Sequence, residues 1–161
     1  MDNHCICCSK KPFADCCARF LGGTQQARTP EQLMRSRYSA YALGGHGDYL
    51  LRTWFPATAA GLTARELSQR SCEWLRLEVL AKQQHGDKGL VEFRARYRDD
   101  KGQEQVMHEK SVFQRSGGLI PGAELRSLAL DRRHGAALQM AVLNCYEDTL
   151  PTLGRRMMSQ L

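Results

Sequence analysis

Hydrophobic and polar positions along this chain change period partway through. Between Thr29 and Gly44 the apolar residues Met34, Tyr38 and Tyr41 fall on one stripe of a 3.6-residue repeat, which predicts an amphipathic helix. Its start is marked by Thr29 as N-cap, Pro30 at the first position and Gln32 closing a capping box, and its end by Gly44 and Gly45. A second helix is expected from Asp48, burying Leu50, Leu51, Trp54 and Phe55 until Pro56 ends it. A third, short helix opens with the box Thr63 to Glu66 and runs through Leu67 to about Gln69.

From Trp74 the period becomes two. Leu75, Leu77 and Val79 alternate with Arg76 and Glu78, and Val91, Phe93, Ala95 and Tyr97 alternate with Glu92, Arg94 and Arg96. The turn sequences HGDKG at 85–89 and RDDKG at 98–102 separate these runs, and a third strand from about Gln103 to Gln114 completes an antiparallel meander. Helices followed by such a sheet indicate an α+β domain. After Gly118 the alternation stops, Pro121 and Gly122 interrupt any strand, and Leu138, Ala141, Val142 and Cys145 share one side of a helix. The expected division is a knuckle over 1–22, an α+β domain over 23–118 and a divergent helical tail over 119–161. Without a closing strand the sheet keeps an open edge for that tail to cover.

The formal charge of +6 is spread as +2, +2, +1 and +1 over residues 1–30, 31–70, 71–118 and 119–161. A phosphate-binding surface needs Lys and Arg gathered on one face, so nucleic acid is not the expected partner. Arg94, Arg96 and Arg98 line one strand face, but Glu92, Asp99 and Asp100 beside them make it a solvated face rather than an anion site. No apolar run is long enough to span a bilayer, and MDNHCICC lacks the pattern of a signal peptide. The expected setting is the cytoplasm.

Five of the seven cysteines, Cys5, Cys7, Cys8, Cys16 and Cys17, lie in the first 17 residues. Neighbours such as Cys16 and Cys17 cannot form a disulfide without strain, and in a reducing compartment a cluster of this kind is more often a metal site. The arrangement C-x-C, eight residues, then C-C around SKKPFAD places Cys5, Cys7, Cys16 and Cys17 to converge on one ion. Lys10, Lys11 and Arg19 lie near enough in sequence to offset the thiolate charge. A structural zinc of this kind contributes roughly 10 kcal/mol or more of folding free energy in small metal peptides.

CICCSKKPFADCC resembles the SEC-C motif, usually CPCGSGKKFKKCC, of the SecA tail and of small bacterial proteins of the YchJ family. The continuation ARFLGG and TPEQLMRSRYSAYALGGHGDYLLRTWFP is similar to the YchJ family proper, with the hallmark stretches LMRSRYSAY and YLLRTWFP (YLLRTWHP in the family), and the resemblance runs from Cys5 to about Gly118. It implies metal ligands at Cys5, Cys7, Cys16 and Cys17, with zinc as the default ion and iron as an alternative. It also implies a cystatin-like or nuclear-transport-factor-like cone, in which a curled antiparallel sheet wraps a long helix. The motif's proline is replaced by Ile6, and its two turn glycines by Cys8 and Lys10. Family members continue past Gly118 with an aromatic strand of the WYYVDG type, which this chain lacks. A shifted reading frame in the gene would give such an ending, and the other frames of the DNA test it.

Inside such a cone, Glu109 of the third strand is expected between Met107 and Phe113, with Arg35 and Arg37 of the MRSRY helix as its natural cationic partners. These three are the candidate polar groups of a cavity; a buried ion pair fixing helix against sheet is the competing reading. His108 belongs on the opposite strand face from Glu109, at the rim. Cys72 and Cys145 read as small core residues, and Trp54, Tyr38 and Tyr41 as packing. No catalytic residue is assigned, and a binding protein is favoured over an enzyme. The SEC-C tail of SecA engages SecB and the ribosome, so the resemblance implies an adaptor with a protein partner; an enzyme or small-ligand binder using the cone is the alternative. A redox or metal-sensing role rests on Cys8.

Overall fold

The structure is a computed structural model and describes residues 3–54, 59 and 61–115, together with the backbone of 138–145. A wide π-type turn over Ala14–Ala18 runs into a single α-helical turn, α1 (Arg19–Leu21), followed by α2 (Pro30–Leu43), α3 (Gly47–Arg52), α4 (Ala64–Leu67) and the strands β1 (Glu73–His85), β2 (Lys88–Arg98), β3 (Glu104–Arg115) and β4 (Leu138–Cys145). All neighbours in the sheet are antiparallel, in the order β1-β2-β3-β4.

The long helix begins as its cap residues dictate. Thr29 Oγ1 accepts from the Gln32 backbone N–H at 3.2 Å, and Gln32 Oε1 accepts from the Arg28 N–H at 2.9 Å, one residue before the usual capping-box partner. At the other end Gly44 adopts φ +73°, a left-handed geometry that suits glycine, and its N–H returns to the Ala40 carbonyl. The short helix α4 is capped as expected, Thr63 Oγ1 accepting from the Glu66 N–H. Helix α3 stops at Arg52, so Trp54 is buried beyond the helix rather than within it. Phe55 and Pro56 lie outside the described residues.

The sheet buries one face against α2. Val91, Phe93, Ala95 and Tyr97 of β2 face inward opposite Ser111, Glu109, Met107 and Gln105 of β3. Pro30, at the helix start, sits directly over Gly89: a Cβ there would come within 2.2 Å of the proline ring, so only glycine admits the helix this close. The alternation of β1 is broken by two register shifts, between Trp74 and Arg76 and between Val79 and Ala81. The second one brings Lys82 opposite Val91, onto the inner face, where its ammonium pairs with Glu31 of α2.

The expected tail helix is not formed at the positions that suggested it. Residues 138–145 are a strand paired to β3, from Glu109–Cys145 to Arg115–Leu138. The same spacing of apolar residues serves either element in a run this short, and the unpaired N–H and C=O groups of β3 decide in favour of the strand. Residues 116–137 and 146–161 lie outside the described residues.

Candidate metal centre

The knuckle is closed by backbone hydrogen bonds. Cys5 N–H donates to the Lys11 carbonyl at 2.7 Å, Cys8 N–H to the Cys5 carbonyl at 3.0 Å, and His4 and Pro12 form an isolated β-bridge. The Ala18 N–H reaches back to the Phe13 carbonyl at 3.1 Å, an i→i+5 bond. That wider turn reduces the angle between successive side chains, which lets the adjacent residues Cys16 and Cys17 aim at one point.

The four sulfurs of Cys5, Cys7, Cys16 and Cys17 all lie within 4.8 Å of one another, and all four residues are buried. Cys7 Sγ is 3.7 Å from Cys16 Sγ, and Cys16 Sγ is 3.9 Å from Cys17 Sγ. A tetrahedral ion with metal–sulfur bonds of ~2.3 Å has sulfur–sulfur edges of about 3.8 Å. The donor set fits one such ion. Bound there, an ion of this kind supplies a cross-link between the two cysteine pairs.

Thiols packed this closely cannot all ionise on their own. Hydrogen bonds from Cys17 and Cys7 hold the Cys5 thiol well below its ordinary range, while the same contacts with Cys5 and Cys7, reinforced by burial, push Cys17 far up. Cys7 is lowered by its contact with Cys17 but raised more by Cys5 and by burial, and ends pushed up to about 11. The cage therefore accepts one negative charge readily and needs a cation to accept more.

Polar groups around the cage hold it in place. Ser9 Oγ lies 3.1 Å from Cys16 Sγ, Ser39 Oγ of α2 lies 4.0 Å from Cys5 Sγ, and Arg19 Nε donates to the Cys16 carbonyl at 3.1 Å. Arg35 Nη1 donates to the Cys7 carbonyl at 2.8 Å, and Arg35 Nε pairs with Glu31 at 3.0 Å. The Leu77 N–H donates to Cys8 Sγ at 3.4 Å, tying the knuckle to β1. All four cage cysteines join the same apolar cluster as Phe20, Leu33 and Met34, so the cage is built into the side of the cone. A cleft of about 250 Å³ between the knuckle and the start of α2 reaches Cys16 and Cys17.

These contacts revise one reading and add two residues. Arg35 serves the cage and does not join Arg37 and Glu109 inside the cone. Ser9 and Ser39 are additional supports that the cysteine spacing could not reveal; for Ser9 its place just after Cys7 was the available signal. Cys8 is exposed and turned toward Ile6 and Leu77 rather than into the cage. Both Cys8 and Lys10 occupy left-handed backbone, at φ +61° and +63°, at the two positions where the motif has glycine.

The second candidate group lies between α2 and β3. Glu109 is 5% exposed, and its carboxyl accepts a hydrogen bond from Ser111 Oγ. Burial pushes its pKa up, against the opposing pull of Ser111 and of the Arg37 charge. Arg37 is 2% exposed; its Nη1 donates to the Leu50 carbonyl and to Thr53 Oγ1, each at 2.7 Å, and its guanidinium carbon lies 4.7 Å from the centre of the Trp54 ring. His108 is on the outer face, bonded to Glu92 at 2.8 Å, as expected of a rim histidine. Cys72 is half-buried rather than fully in the core, as is Tyr41, whereas Tyr38 and Trp54 are buried.

Fold and site together define a nuclear-transport-factor-like cone with a four-thiol cage set into its flank. Residues 29–120 match the family described as YchJ, middle NTF2-like domain. The chain is 40% identical to a UPF0225 protein of Sodalis glossinidius (strain morsitans) over 120 residues, 71% of this chain and 77% of that one. It is 43% identical to a UPF0225 protein of Shewanella sp. (strain MR-4) over 122 residues, 70% of this chain and 73% of that one. Its fold matches the solution structure of a SEC-C motif containing protein from Rhodopseudomonas palustris with a TM-score of 0.67 and 32% identity, covering 88% of this chain and 99% of that one. The chain belongs to the YchJ family, with a SEC-C motif at its amino end. Among the described residues no helix is long and apolar enough to cross a membrane.

Proposed function

We propose that this chain is a cytoplasmic protein-interaction module whose surface is shaped by one zinc ion held by Cys5, Cys7, Cys16 and Cys17. The observation that carries the reading is the tetrahedral spacing of four buried sulfurs on a segment fixed to α2. Zinc suits a closed thiolate cage that serves as a cross-link, having no redox chemistry of its own. Iron fits the same distances and is distinguished by its visible absorption.

The docking surface in this reading is the groove beside the cage. It has a volume of about 940 Å³, and its described lining includes Arg19, Arg28 and Arg115 together with Gln25, Gln26 and Gln32, and no carboxylate. Such a lining suits an acidic peptide segment, with the glutamines bonding its backbone. By analogy with the SecA tail, SecB or the ribosome are the first partners to try.

Metal analysis of purified protein should give one zinc per chain, lost in a Cys16→Ser, Cys17→Ser double variant. Partners recovered with the wild type should be lost with Arg28→Glu, Arg115→Glu while the metal stays. A wild type that folds fully without metal, or partner capture indifferent to both pairs of changes, contradicts the proposal.

A further inference from the structure

Three arginines on the outer face of the sheet stand without partners. Arg76 of β1 and Arg94 and Arg96 of β2 are exposed, and none has a hydrogen-bond or ion-pair partner for its guanidinium among the described residues. Arg76 and Arg96 are directly opposite each other in the ladder, where Cβ atoms stand about 5 Å apart and like charges repel. Their neighbour Arg98 differs: Glu73 holds it at 2.6 Å and Glu104 at 3.7 Å.

The acidic residues expected to neutralise this face are committed elsewhere. Glu92 bonds His108 at 2.8 Å and lies 3.7 Å from Lys110. Asp99 lies past the end of β2 and accepts from the Lys101 and Gln103 backbone N–H groups and from the Gln105 side-chain amide, closing its own turn, and Asp100 belongs to that turn. Glu78 stands opposite Arg94 without forming an ion pair with it, so at most one of the three charges is offset. Outside the described residues, 116–137 have three arginines to two carboxylates and 146–161 have two to two, so neither stretch has acid to spare.

The rest of the face selects the kind of partner. Phe93, Tyr97 and Phe113 are buried on the inner side and Trp74 packs against Tyr97 there, so the outer face of β1–β3 has no such ring for nucleic-acid bases to stack on. Aliphatic side chains stand among the arginines instead: Val106, 38% exposed, is opposite Arg96, and Leu90 faces Val112 further along. Arginine beside aliphatic surface suits a protein partner. Arg94 and Arg96 repeat at ~6.6–6.8 Å, the spacing of alternate side chains in an extended segment. We propose that this face docks an extended Glu-x-Glu segment of a partner protein, its two carboxylates meeting Arg94 and Arg96 with Arg76 shared beside them. The surface has no residue in common with the groove beside the cage and does not depend on it.

The test is a titration of the full-length, metal-loaded chain, labelled with nitrogen-15, with three probes. These are the peptide acetyl-Glu-Thr-Glu-Thr-Glu-amide, the same peptide with lysine for glutamate, and the tetranucleotide UpUpUpU, whose three phosphates match the acidic peptide's charge. The acidic peptide should shift the backbone amides of residues 76–78 and 94–96 and saturate; the lysine peptide should not, and the tetranucleotide should bind more weakly. The shifts should persist in Arg28→Glu, Arg115→Glu, which disables the groove. In Arg94→Gln, Arg96→Gln, whose exposed positions leave the fold intact, the affinity should fall at least ~5-fold through the loss of two charge pairs. Shifts absent from this face, or a smaller loss in the Arg94, Arg96 double variant, overturn the proposal. Tetranucleotide binding as tight as the peptide's or tighter overturns it too, by making the face a general polyanion surface.

Discussion

Arg35 and Cys7 are joined by a hydrogen bond of 2.8 Å from the guanidinium Nη1 to the cysteine's carbonyl oxygen, linking the middle of α2 to the knuckle across 28 residues of chain. Glu31, one turn earlier, holds the other side of the same guanidinium. Burial works against the Glu31 charge, but Lys82 and Arg35 together keep its carboxyl below the usual range. The chain Lys82–Glu31–Arg35–Cys7 thus connects β1, α2 and the cage.

Removing the Arg35 link should loosen the metal. Groups that orient metal ligands typically change affinity by about 10- to 100-fold when lost. Arg35→Met is expected to give up its ion to a competing chelator at about tenfold lower chelator concentration, with the fold intact by circular dichroism. Unchanged metal affinity would show that the bond only packs the helix against the knuckle.

Backbone geometry at the knuckle predicts a gain. Left-handed conformation costs a non-glycine residue ~1–2 kcal/mol, partly offset by the greater freedom glycine has in the unfolded chain. Lys10, exposed at φ +63°, should therefore be stabilising when replaced: Lys10→Gly is expected to add about 0.5–1 kcal/mol in urea unfolding of the metal-loaded protein. Cys8→Gly should gain less, because it also removes the sulfur that accepts the Leu77 N–H. Destabilisation by Lys10→Gly would contradict the assigned backbone conformation.

Glu109 sets a pH dependence of definite sign. Its folded-state pKa is raised by burial. Below the unfolded carboxyl's pKa both states are protonated and no penalty exists. As pH rises from there through the raised folded value, the unfolded chain ionises first and stability falls; above that value the whole penalty is present. Glu109→Gln should remove this slope, so the stability difference between variant and wild type grows in the variant's favour as pH rises. Unfolding curves of the two proteins across that range measure it, and a pH-independent difference would refute the raised pKa.

Much of this was legible in residue order. The strand alternation of Val91 to Tyr97, the turns at 85–89 and 98–102 and the Thr29 cap are local signals, and local geometry follows them. The cysteine spacing identified the four thiols that converge. What escaped depends on distant neighbours. Arg35 and Arg37 are two residues apart on one helix, and only the packed knuckle shows that one serves the cage while the other stays in the cone. The bulges of β1, which bring Lys82 onto the inner face beside Glu31, leave no mark in the hydrophobic pattern. Residues 138–145 carry a spacing compatible with a helix, and the open edge of β3 makes them a strand.

Titration of the reduced, metal-free chain with cobalt bears most directly on the four-thiol centre. One equivalent should produce an intense thiolate-to-metal charge-transfer band together with the visible bands of a tetrahedral site, both abolished by Cys16→Ser, Cys17→Ser and unaffected by Cys8→Ser. Absence of the charge-transfer band in the wild type, or its survival in the double variant, would mean that Cys5, Cys7, Cys16 and Cys17 do not share an ion.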